Sequence, residues 1–195
     1  MRTIVVILFL SISCFAAEQK AVFAGGCFWG VEAVFESLKG VIDVRSGYSG
    51  GTAKTANYND VSYHRSTHAE AVEVRFDPAK ITYEQLLNIF FIVAHDPTEL
   101  DRQGPDTGPQ YRSAIFYEND GQLKAAKGFI AALEASKVYK KPIVTKLEKL
   151  EKFYAAEEEH QDYVKHNPDD AYVVRNDLPK IAALKQAFPQ LFVPK

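Results

Sequence analysis

Cys27 is the residue from which chemistry can start. It lies in the run Gly25-Gly26-Cys27-Phe28-Trp29-Gly30, between a short apolar strand and the apolar stripe of a first helix. That puts its sulfur at a helix N-terminus, where the dipole and free backbone N–H groups lower a thiol pKa from about 8.5 toward a range of about 3.5 to 7.5. A thiolate so placed is a nucleophile. Position alone fits a buried, inert cysteine equally well; the flanking glycines, which let a backbone approach a ligand closely, favour the reactive reading.

A nucleophile acting near neutral pH needs a proton donor, and Glu70 shares the alternation of Val72, Val74 and Phe76. In a regular strand its carboxyl points to the buried face, where its pKa rises into a useful range. If the strand starts after Glu70, the side chain is solvated instead. Tyr58 and Tyr111 stand at loop–strand junctions and offer phenolic donors, although most of the 10 tyrosines must be structural. Phe28 and Trp29 are either core aromatics or the walls of an apolar slot beside the thiol. His64 and His68 are four residues apart, but Ser66-Thr67 and the strand that follows argue against the helix a metal pair would need, so no metal is expected. His160, among glutamates, reads as a packed or capping residue.

These groups must be positioned by the elements around them. The 195 residues carry a formal charge of -2 and 47% hydrophobic residues, which suits one domain with a real core and gives no basic field for nucleic acid. Residues 1–17 hold Arg2, the apolar run Ile4 to Leu10 and a small-residue end, the pattern of a signal peptide cleaved after Ala16 or Ala17. This predicts a secreted or periplasmic protein with no stable membrane span after cleavage. Acylation of Cys14, giving a lipoprotein, fits less well because Ser11-Ile12-Ser13 is an untypical lead-in. Residues 18–195 form the single domain. Within it, strands are expected at Ala21 to Ala24, Val41 to Tyr48, Glu70 to Phe76 and Ser113 to Tyr117. Helical stripes cover Val31 to Leu38, Tyr83 to Phe90 (started by Thr82) and Leu123 to Leu133. The order β-α-β-β-α-β through residue 117 is the ferredoxin-like split β-α-β unit, an α+β two-layer sandwich with helices on one face. In the C-terminal extension, Ile143 to Leu147 is a possible strand, while Glu157 to His166 and Lys180 to Phe188 look helical. The long loop His95 to Gln110 shows no periodicity.

Four motifs in order, Gly26-Cys27-Phe28-Trp29-Gly30, Gly47-Tyr48-Ser49-Gly50-Gly51, His68-Ala69-Glu70 and Gln110-Tyr111-Arg112-Ser113-Ala114-Ile115, resemble those of the A-type peptide-methionine sulfoxide reductases. His95-Asp96-Pro97 and His160-Gln161 extend the similarity over nearly all of residues 20–170. The resemblance implies that Cys27 attacks the sulfur of an S-epimer methionine sulfoxide, free or in proteins, while Glu70, Tyr58 and Tyr111 assist the departing oxygen. It implies that Phe28 and Trp29 hold the S-methyl group, that Asp106 completes the site, and that Gly26 contributes its backbone. The products are methionine and a Cys27 sulfenic acid. Many relatives carry further cysteines near the C-terminus that resolve this acid; here none follows Cys27. With no bound cofactor, regeneration falls to an external thiol: thioredoxin, glutaredoxin, glutathione or dithiothreitol. A monomer is expected. Two other readings remain open on the residues themselves, a cysteine hydrolase or acyl transferase with a histidine base, and a binding module around a buried cysteine.

Overall fold

A computed structural model describes residues 17–194, so the proposed signal peptide lies, but for Ala17, outside the described residues. Among the described residues no helix is long and apolar enough to cross a membrane. The fold is mixed α/β. In chain order it runs β1 (Gln19–Ala24), α1 (Phe28–Glu36), β2 (Val41–Ser49), α2 (Tyr58–Ser62), β3 (Ala69–Phe76), α3 (Tyr83–Ile89), the two-residue strands β4 (Arg102–Gln103) and β5 (Asp106–Thr107), β6 (Ala114–Tyr117), α4 (Asp120–Ser136), β7 (Lys146–Lys149), β8 (Phe153–Ala155), α5 (Tyr163–His166) and α6 (Leu178–Ala187). The main sheet has the order β7-β6-β1-β3-β2-β8. Its pairs are antiparallel except β6 with β7.

Alternation along the strands decides which side chains meet the helices. Phe23, Val44, Val72, Val74 and Phe76 share one core with α1, α3 and part of α4, whereas Val22, Ala24, Ala69 and Ala71 form a smaller cluster under Leu150 and Phe153. Phe23 is central to the first: its ring stacks on Phe35 at 5.1 Å and on Phe90 at 4.9 Å. Each ring so buried contributes about 1.5–3 kcal/mol. Thr82 begins α3 with a full capping box, its hydroxyl accepting from Gln85 N–H at 3.2 Å while the Gln85 amide accepts from Thr82 N–H at 2.9 Å.

The C-terminal third departs from its sequence pattern. The strand expected at Ile143 to Leu147 instead spans Lys146–Lys149, because the edge offered by β6 begins with Ala114 opposite Lys146. Glu157 to His166 is not one helix: Glu158–His160 makes a single 3-10 turn, and α5 starts only after Asp162, which adopts φ +52. The Gln161 amide bonds both the N–H and the carbonyl of Ser46, and buried Glu32 accepts from Asp162 N–H at 3.1 Å. These tertiary bonds outweigh the helical preference of the segment. The long loop, too, is organised, by the β4–β5 ribbon.

Candidate active site

β1 ends at Ala24, its antiparallel partner β3 begins at Ala69, and Phe23 faces Val72. The chain leaving β1 therefore meets the first residues of β3, which brings Cys27 and Glu70 together. Glu70 lies on the face of Val72 and Val74, only 2% exposed, and its Oε2 accepts the N–H of Phe28 at 3.1 Å. Cys27 caps α1 and is 7% exposed. Both line a cavity of about 200 Å³ with Phe28, Trp29, Tyr58, Asp106, Tyr111 and Tyr172. Seven of the eight residues singled out in the sequence thus share one cavity; Gly26 stands beside it as the neighbour of Cys27.

Burial governs acidity here. It pushes the Glu70 carboxyl up to about 8, with the Asp106 charge adding to the effect and the Phe28 N–H opposing it. Glu70 is therefore a neutral acid at pH 7. The depressed thiol pKa expected from the helix N-terminus is corrected: desolvation, and then the charges of Glu70 and Asp177, raise Cys27 well above its ordinary value, against the Trp29 N–H and Lys180. A helix terminus is worth about 0.3–1 kcal/mol in most settings, too little to offset removal of the sulfur from water. Burial likewise raises Tyr58 and Tyr111, so both phenols keep their protons.

Residues from the other motifs support the backbone around the sulfur. A Cβ on Gly25 would lie 2.8 Å from the His95 ring, which is held by Ser113 Oγ at 2.7 Å and the Phe90 carbonyl at 2.9 Å. Gly26 has φ +95, and a Cβ there would meet Gln103 Cγ at 2.6 Å. The Gln103 amide clasps the backbone of Asp96 from both sides, so the long loop closes over the turn and delivers Asp106 to the cavity. His68 bonds the Thr52 carbonyl at 3.0 Å and packs against Gly51, supporting the Gly-rich loop. Gly26→Ala is expected to cost about 1–3 kcal/mol of stability through backbone strain, with a parallel loss of activity. Denaturant unfolding followed by tryptophan fluorescence measures the first effect.

Three aromatic groups were not legible as part of the site. Tyr172 lines the cavity and donates its hydroxyl to Asp106 Oδ2. Tyr163 stacks on Trp29 with ring centroids 3.7 Å apart. His160 accepts the Trp29 indole N–H on Nδ1 at 3.2 Å and lies 4.3 Å from the Tyr58 ring. His160 is packed, as expected, but packed against the walls of the site. No periodicity marks these residues, since they reach the cavity from irregular segments of the C-terminal third.

A thiol beside a neutral carboxylic acid, walled by aromatics, suits two-electron chemistry at sulfur, and the class that fold and site define is an oxidoreductase acting on a sulfur group. The comparisons agree. The family model described as peptide methionine sulfoxide reductase matches residues 19–191. The chain is 52% identical over 178 residues to peptide methionine sulfoxide reductase MsrA 2 of Mesorhizobium japonicum, covering 91% of each chain. It is 51% identical over 170 residues to MsrA 2 of Synechocystis, covering 87% of this chain and 79% of that one. Among solved structures, reduced Mxr1 from Saccharomyces cerevisiae matches with a TM-score of 0.73 at 32% identity, covering 78% of this chain and 87% of Mxr1. Methionine sulfoxide reductase A of Corynebacterium diphtheriae matches with a TM-score of 0.67 at 32% identity, covering 77% and 76%. The chain belongs to the peptide methionine sulfoxide reductase family, and it reduces methionine sulfoxide in the repair of oxidised proteins.

Proposed function

We propose that Cys27 attacks the sulfoxide sulfur while Glu70 protonates the oxygen. The observation that carries this reading is the bond from Phe28 N–H to Glu70 Oε2, which pins a neutral acid next to the thiol within one cavity. The reaction balances without a cofactor: thiol and sulfoxide become sulfenic acid and thioether, the substrate sulfur gaining two electrons and Cys27 losing them. In that balance the thiol proton ends on the transferred oxygen. Glu70 gives its proton to the oxygen as the S–O bond breaks and takes the one released by Cys27, so both groups begin protonated, in keeping with their raised pKa values. Tyr58 and Tyr111 donate hydrogen bonds to the same oxygen. Phe28 and Trp29 receive the S-methyl group of the S epimer, Asp106 holds the substrate through hydrogen bonds, and Gly26 leaves the backbone open to it.

One equivalent of sulfoxide added without reductant should leave one extra oxygen on Cys27 by mass spectrometry and one equivalent of methionine. Ester cleavage with the sulfoxide untouched would instead favour the hydrolase reading. Tyr58→Phe and Tyr111→Phe should each slow single-turnover reduction about tenfold, the worth of one hydrogen bond to a developing charge.

We infer that an external thiol regenerates Cys27, a reading supported by the lack of a second cysteine within residues 18–195. One solved relative, yeast Mxr1 in complex with Trx2, matches with a TM-score of 0.53 at 26% identity and supports a thioredoxin-like partner. Glutaredoxin, glutathione and dithiothreitol meet the same chemical need. We read the order β6-β1-β3-β2 as the ferredoxin-like unit, extended at its edges by β7 and β8. Residues 1–17 we read as a signal peptide and the active form as a secreted or periplasmic monomer. N-terminal sequencing of the exported protein tests the cleavage after Ala16 or Ala17.

A further inference from the structure

Gly30 closes the motif that opens with Gly26, yet it lies inside α1 and has no positive φ to explain it. Its reason is a neighbour. A Cβ on Gly30 would overlap Asp177 Oδ1 and lie 2.9 Å from Lys180 Nζ. The first turn of α1 therefore rests on a carboxylate–ammonium pair, with Nζ and Oδ1 3.4 Å apart. Asp177 is fully buried and its other carboxylate oxygen finds no hydrogen-bond partner. A buried pair is screened far less than a surface one, so its field reaches the neighbouring turn. Cys27 is three residues before Gly30, about 4.5 Å along the helix axis.

We propose that Asp177 and Lys180 are positioning residues for sulfoxide reduction, an ion pair seated against the first turn of α1 that sets how readily the Cys27 sulfur takes on negative charge. Lys180 favours that charge and Asp177 opposes it. The inference rests on the reading of Cys27 as the attacking group.

The surroundings make the effect separable. Facing the sulfur from β3 is Glu70, itself next to Asp106; the pair lies on the α6 side; Tyr58, Tyr111, Tyr163 and Tyr172 present phenols whose pKa values are all raised. His95 under Gly25 is pushed down to about 4 by burial, and His160, against Phe28 and Trp29, is also lowered. Asp177 is raised to about 6. Glu70, at about 8, is the carboxyl on the β3 side whose ionisation opposes that of the thiol, and Glu70→Gln removes its charge, so that the pair on the α6 side is read without it.

The test is the pH profile of Cys27 alkylation by iodoacetamide, in the full chain and in a Glu70→Gln background. Lys180→Met should move the profile up by about one pH unit and Asp177→Asn down by about as much, roughly tenfold changes in rate below the midpoint. Lys180→Arg should restore the original profile. A purely structural pair predicts something different, since both substitutions break the same contact and should act in the same direction. Shifts of one sign in both variants, or none in either, overturn the proposal. Should Asp177→Asn not fold, the double variant Asp177→Asn/Lys180→Met must titrate below Lys180→Met alone, and failure to do so overturns it equally. Alkylation reads the sulfur directly, so a negative result leaves Cys27 standing as the attacking group. That assignment fails separately, if Cys27→Ser still reduces sulfoxide.

Discussion

Cys27→Ser should reduce methionine sulfoxide at least ~10³-fold more slowly than the parent chain, to the level of the buffer reaction. A serine oxygen is a weaker nucleophile toward sulfoxide sulfur and cannot accept the oxygen atom as a stable sulfenic acid. The fold should survive, because the substitution exchanges one atom at the cap of α1 and serine is itself a favoured cap. No other thiol in residues 18–195 can take over the reaction. Turnover of methyl sulfoxide with dithiothreitol as reductant gives the rate, and methionine formed by the variant at the parent rate would remove the mechanism altogether.

Glu70→Gln should slow the reduction step by about 10²–10⁴-fold, the range for loss of a positioned general acid, while alkylation of Cys27 changes little or rises. The rise has a direct origin, since ionised Glu70 is one of the charges that hold the thiol up. The pH dependence follows with a definite sign. Glu70 is protonated below about 8, so the reduction rate should fall as pH rises through that value. In Glu70→Gln the descending limb near pH 8 should disappear. The amide keeps an acceptor for Phe28 N–H, which separates lost proton donation from lost architecture. Equal losses of reduction and alkylation would show that Glu70 only maintains the fold.

The neutral acid was legible because a strand has period two: Val72, Val74 and Phe76 define a buried face, and Glu70 shares it because the strand begins at Ala69, a start that the pattern alone left open. Cys27 was legible for a similar reason, since Gly25-Gly26 ends a strand and the stripe from Val31 starts a helix. Asp106 came only with the family resemblance, as a loop without periodicity offers no face to assign. Tyr172 was missed because the tie between its hydroxyl and Asp106 joins segments that no local rule relates.

Motif order in the chain alone therefore determined the family, and strand period and turn placement singled out Cys27 and Glu70 as the candidate pair. The tertiary structure decided the acidity of the sulfur, the break of the helical pattern at Gln161 and Asp162, and the partners of Gly30. The physical reason is common to all three. Desolvation, long-range hydrogen bonds and close approach depend on which segments pack together, and packing between segments distant in the chain leaves no signature in the spacing of either one.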